Sequence, residues 1–190
     1  MSLQIVQYKG FTDHLEERRI PRAFILHGTG SGIGVNNDIN YWMTDRNKAV
    51  ATPLILGRDG TVTQLFDLEF SCYHTGINGC NTSVLGMEID NWNYLDCKNN
   101  RYYSWTGLEI DPDNVIELPL WRGKKYFEKL TDKQKAILPE ICRYIVDRFP
   151  NIEYFITSNW IADPKNFKGI ATHSCIHKSK YDFHPLLPLW

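Results

Sequence analysis

Between His173 and His184 the chain gathers His173, His177 and His184 with Asp182, Lys178 and Lys180 into a dozen residues. Imidazoles and carboxylates brought together in this way can bind a metal ion or move protons. Two histidines and one carboxylate, with a fourth position left for water, make a hydrolytic zinc set. Another histidine, His27, ends the apolar run from Arg22 just before a glycine-rich turn. The ends of sheet strands are where open sheets expose their chemistry. Glu88 stands in a second apolar run beside Leu85, Met87 and Ile89. Such a setting raises a carboxyl pKa and suits the group to proton transfer. Each residue also has a plainer use alone: His27 as a structural histidine, Glu88 as a solvent-facing strand carboxylate, the lysines as surface charge.

Other chemistries are excluded by spacing. Gly28, Gly30, Gly32 and Gly34 follow the first apolar run, but a dinucleotide fingerprint needs glycine where Ile33 or Val35 stands. With no Gly-Lys-Ser/Thr following, the run reads as a turn that lets another group approach the backbone. Five cysteines (Cys72, Cys80, Cys97, Cys142 and Cys175) form no CxxC pair, so no thiolate metal site is indicated. Cys72 and Cys80 are near enough in sequence to bridge a loop, whereas a reducing compartment would leave them free. The 190 residues carry 21 Lys and Arg against 22 Asp and Glu, which argues against a nucleic-acid surface. No apolar run approaches the ~20 residues of a membrane span, and the N-terminal MSLQIVQYKG lacks a secretory pattern. These features predict a protein made in the cytoplasm without its own export signal; its oligomeric state stays open, with a monomer favoured.

The elements that must position these residues follow from pattern. Arg22–His27 and Val84–Asp90 read as buried strands. Thr52–Gly57 and Thr61–Phe66 flank Arg58-Asp59-Gly60, a strong hairpin signal. Ile39, Trp42 and Met43 can share one face of a helix within residues 36–48. Thr131 and Gln134 form a capping-box pattern, and Ile137, Leu138, Ile141, Cys142, Ile145, Val146 and Phe149 repeat at amphipathic spacing until Pro150. Gly169–Thr172 then leads into the histidine-rich segment. Together these predict one α/β (α+β) domain over residues 1–190, a mixed central sheet flanked by helices. The aromatic stretch from Trp92 to Phe127 is predicted to be a long ordered loop or lobe. It includes Tyr102, Tyr103 and Trp105, and its rings are either a cleft wall for sugars or a satellite core.

In order along the chain, Phe24-Ile25-Leu26-His27-Gly28-Thr29, the 52–65 hairpin, Tyr73-His74-Thr75-Gly76, Asn81 through Ile89, Thr172-His173-Ser174 and Lys180-Tyr181-Asp182 resemble the motifs of zinc-dependent type 2 N-acetylmuramoyl-L-alanine amidases. That family includes phage endolysins and cytoplasmic wall-recycling enzymes, and peptidoglycan recognition proteins share its fold. The similarity covers about residues 22–187. It implies Zn2+ held by His27, His173 and Asp182, with Glu88 and Lys180 catalytic. It further implies a peptidoglycan or muropeptide substrate contacted by His74; if the aromatic stretch is a cleft wall, Trp92 and Tyr103 are its expected substrate contacts. The wording after His173 departs from the family, so His177 and His184 stand as alternatives for the third ligand, and His173 and His177 could chelate together only on a helical turn. By resemblance, an endolysin that reaches the wall through a holin is favoured over a recycling amidase. A binding module of the same fold is the non-enzymatic alternative.

Overall fold

The computed structural model describes residues 3–31, 34–44 and 48–187. The first half contains β1 (Ile5–Gln7), β2 (Ala23–Gly28), α1 (Val35–Thr44), β3 (Leu54–Leu56), β4 (Val62–Gln64) and β5 (Val84–Ile89). Next come β6 (Tyr94–Lys98), β7 (Arg101–Tyr103), β8 (Glu109–Ile110), β9 (Val115–Trp121) and β10 (Lys124–Glu128). The chain then forms α2 (Asp132–Arg148), β11 (Ile156–Thr157), β12 (Gly169–Thr172) and the single turn α3 (His173–Ile176). The first helix begins one residue earlier than its pattern suggests, and positions 45–47 of the expected 36–48 span lie outside the described residues. So do Gly32 and Ile33 of the glycine run.

A mixed seven-stranded sheet runs in the order β1-β4-β3-β5-β2-β12-β11. Its central strands β3, β5, β2 and β12 are parallel, and their apolar sequences are buried on both faces as parallel sheets require. Period-two alternation divides them. Phe24, Leu26, Leu85, Met87 and Ile89 join Ile137, Leu138, Ile141 and Ile145 of α2 in the main core. Ile25, Val84 and Ala171 face the other way, among the loops, so His27 and Glu88 also point to that second face. The two are direct register partners on β2 and β5. The helix α2 starts as expected: Thr131 accepts from the Gln134 amide while the Gln134 side chain accepts from the Thr131 amide, a cap worth about 1 kcal/mol.

Residues 92–127, expected as a loop or lobe, instead form most of a five-stranded antiparallel sheet in the order β8-β7-β6-β10-β9. Two tight hairpins build it. Asn99 and Asn100 have φ of 51° and 59°, and Arg122 and Gly123 have 50° and 77°, the positive values that two-residue hairpin turns require. The strands are short, with aromatics on both faces, so no simple alternation marks them in sequence. Arg58 ties this sheet to the first, pairing bidentately with Glu128 at 2.8 Å and lying 3.5 Å from Asp90. Cys72 and Cys80 are free thiols in different core clusters, so the loop bridge does not form.

Candidate active site

His27 leaves the end of β2, and His173 begins α3 directly after β12, the neighbouring strand. Their Nδ1 atoms face one another at 2.9 Å. Asp182 Oδ2, from the loop after α3, lies 3.1 Å from His173 Nδ1 and 3.6 Å from His27 Nδ1. Backbone carbonyls determine which nitrogens carry protons. His74 Nε2 lies 3.2 Å from the Val84 carbonyl and must donate to it, so His74 Nδ1 accepts from His27 Nε2 at 2.9 Å. That leaves His27 Nδ1 without a proton. His173 Nε2 donates to the Thr75 carbonyl at 2.9 Å, which strips its Nδ1 in the same way. Burial and the neighbouring His173 push the His27 pKa down to about 4, keeping the ring neutral at pH 7.

Two bare imidazole nitrogens and a carboxylate oxygen thus converge in a buried place, all within 4.8 Å of one another. Three acceptors with no proton among them repel unless a cation lies between them, so the donor set fits a metal ion. The outer partners, Val84 through His74 and Thr75 directly, are the carbonyl supports that fix ligand tautomers. Asn81 Oδ1 holds that loop by accepting from the amides of His74 and Thr75 at 3.2 and 3.1 Å. Around the cluster is a cavity of about 210 Å³ that Glu88 and Lys180 also line. Glu88 Oε2 is sealed from solvent with no hydrogen-bond partner among the described residues. Burial first, then the charges of Asp182 and Asp38, raise its pKa well above the ordinary value. A carboxyl raised in this way is suited to exchanging a proton with a reacting group.

The family model of the N-acetylmuramoyl-L-alanine amidases matches residues 17–185. The chain belongs to that amidase family. Among solved structures, the N-acetylmuramoyl-L-alanine amidase LysC from Clostridium intestinale URNW superposes with a TM-score of 0.54 at 14% identity, covering 94% of this chain and 87% of that one. The Staphylococcus aureus hydrolase AmiA, solved with its ligand, gives a TM-score of 0.56 at 10% identity, covering 94% of this chain and 69% of that one. At such identities the likeness is one of fold. No curated protein sequence matches the chain significantly. The amidase is therefore an enzyme, and the cluster lies where its parallel strands end.

The amidase brings together six of the residues expected from sequence: His27, His74, Glu88, His173, Lys180 and Asp182 all line the one cavity. His74 is drawn further in than a cleft contact, because both its ring nitrogens are engaged. The alternatives for the third ligand fall away. His184 donates to the Pro119 carbonyl and accepts from the Leu186 amide, leaving no free nitrogen. His177 does follow a helical turn, yet its Nδ1 meets Ser179 and it stays outside the cluster. The two aromatic expectations fall differently. Trp92, just before β6, is 2% exposed and packs with Leu95 and Ile110, and it also borders the cavity beside the cluster. Tyr103 is half-buried on β7 and borders neither cavity near the cluster. Sequence reading passed over Thr75, whose value is its carbonyl, and Arg122. The Arg122 guanidinium donates to the carbonyls of Ser174 and His177 at 3.0 and 3.3 Å, and to that of Lys180.

Gly86 is a second missed signal in the amidase. A methyl group there would sit 2.7 Å from His74 Nδ1 and 2.8 Å from Thr52 Cγ2. Gly86→Ala is expected to displace the His74 ring and so release His27 Nε2 from its acceptor. Metal affinity should fall about 10–100-fold, the usual effect of losing a ligand's outer hydrogen bond. Competition against a chromogenic chelator measures it; wild-type affinity in the alanine variant would show that His74 does not orient His27.

Proposed function

We propose that this amidase hydrolyses the amide between the lactyl group of N-acetylmuramic acid and L-alanine in peptidoglycan, using zinc held by His27, His173 and Asp182. The observation that carries this reading is the convergence of three unprotonated donors beside a buried Glu88 oxygen that has no partner among the described residues. Two nitrogens and one carboxylate oxygen suit zinc, which supplies Lewis acidity toward the amide carbonyl when bound. Glu88 accepts a proton from the attacking water as its oxygen bonds to the carbonyl carbon. The same carboxyl then delivers that proton to the alanine nitrogen as the C–N bond breaks. Lys180, at the mouth of the cavity, sets its ammonium charge against the negative charge that develops on the carbonyl oxygen. His74 acts through His27, fixing its tautomer.

A wall-lysing role of the endolysin kind is the setting we favour, on the motif resemblance. Digestion of purified sacculi, read by mass spectrometry, tests the reaction. Stem peptides with a free alanine amino terminus should appear, vanish on chelation and return with added zinc. Cleavage at another bond, or indifference to the chelator, would overturn the proposal. Faster turnover on soluble muropeptides than on intact sacculi would move the enzyme to recycling.

A further inference from the structure

Arg19 has only 3% of its surface exposed and lies outside the metal-ligand cavity. A guanidinium so far from water must have its donors met inside the protein. Its own backbone runs beside residues 69 and 70: the Arg19 amide donates to the Glu69 carbonyl at 2.7 Å, and Arg18 bridges Phe70. The side chain fastens the same segment, with Nε donating to the Leu68 carbonyl at 3.0 Å and Nη2 to that of Phe70. Nη1 reaches the other way, to the Val84 carbonyl at 2.9 Å. That oxygen is also the one to which His74 Nε2 donates at 3.2 Å. One carbonyl thus takes a charge-assisted bond from Arg19 and a second bond from the ring that accepts from His27.

The main sheet leaves this oxygen to side chains. The Ser83 carbonyl accepts from the Arg22 amide on the β2 side at 2.8 Å, so the next carbonyl along β5 points away from β2. On that side β3 pairs with β5 only from Leu54 and Met87 onward, beyond Val84. We propose that Arg19 is a positioning residue for the metal site, a reading that rests on the zinc site proposed above. Its fork clamps the segment leading into His74 to the start of β5, and it sets the oxygen that selects the His74 tautomer. His74 passes that constraint to His27 through Nδ1. A lysine carries the same charge, but one ammonium cannot reproduce a fork that meets the carbonyls of residues 68, 70 and 84.

Arg19→Lys should therefore weaken zinc binding about tenfold, the lower end of what loss of an outer partner costs a metal site. Competition against a chromogenic chelator measures it without any substrate. In a His74→Ala background the same substitution should change affinity by less than about twofold, because the path from Arg19 to the ligand is already cut. An equal loss in both backgrounds would make Arg19 a structural residue only, and unchanged affinity in the single variant would also overturn the role. Histidine ring 15N spectra of the metal-free protein give a second measurement, which holds even if the lysine variant does not fold. Wild-type His74 should show one tautomer, protonated at Nε2, and Arg19→Lys should populate both. A wild-type His74 that exchanges between tautomers overturns the proposal. Failure of the amidase reading looks different: a wild-type chain that binds zinc and cuts another bond leaves the Arg19 result standing. If the wild type binds no zinc, the zinc site fails and the positioning role fails with it.

Discussion

Glu88→Gln is expected to lower turnover by about 10²–10⁴-fold while the bound metal stays in place. The substitution keeps the shape of a side chain that contacts no ligand donor, and it removes only the ability to take and return a proton. The buried Oε2, without a partner among the described residues, is the reason to expect so large an effect. Lys180→Ala should also slow turnover and leave metal content near that of the wild type, since Lys180 lies beside the donors and not among them. Steady-state kinetics with metal analysis on the same preparations checks both. Wild-type turnover in either variant removes that residue from the mechanism.

The second large effect is on the metal itself. Wild-type protein should carry about one zinc per chain, and the His27→Ala, His173→Ala double variant should carry almost none. Removing both imidazoles leaves Asp182 as the single member of the cluster, and one carboxylate does not hold zinc against water. Because the preformed site exists only in the folded chain, metal binding is linked to stability. Added zinc should therefore raise the wild-type Tm and leave that of the double variant unmoved. Full metal retention by the double variant would place the ion elsewhere.

The strands and the long helix were legible because their signals are local. Apolar runs mark β2 and β5, Asp59-Gly60 marks the hairpin, and Thr131 with Gln134 marks the start of α2. The residues of the His27, His173 and Asp182 cluster were legible as types, helped by the ordered motif resemblance. The proton arrangement was not. It depends on the carbonyls of Val84 and Thr75, and backbone carbonyls carry no residue identity. The second sheet escaped for a related reason: its turns use Asn99-Asn100 and Arg122-Gly123 in place of the Asp-Gly that flags a hairpin. Trp92 and Trp105 illustrate the limit of composition. Both are tryptophans of one stretch, yet one is core and the other lies open beside the cleft, a difference set by strand pairing.

Arg122 gives the active site an unusual dependency. Its guanidinium lies 4.4 Å over the Trp121 ring and grips three carbonyls of the segment that carries His173 and Lys180. The segment is thus fastened at one end by the main sheet, through β12, and at the other by a hairpin tip of the second sheet. Trp121, beside that tip, also packs against the core around α2. A disturbance of this hairpin is therefore felt by the core and by the reaction centre together.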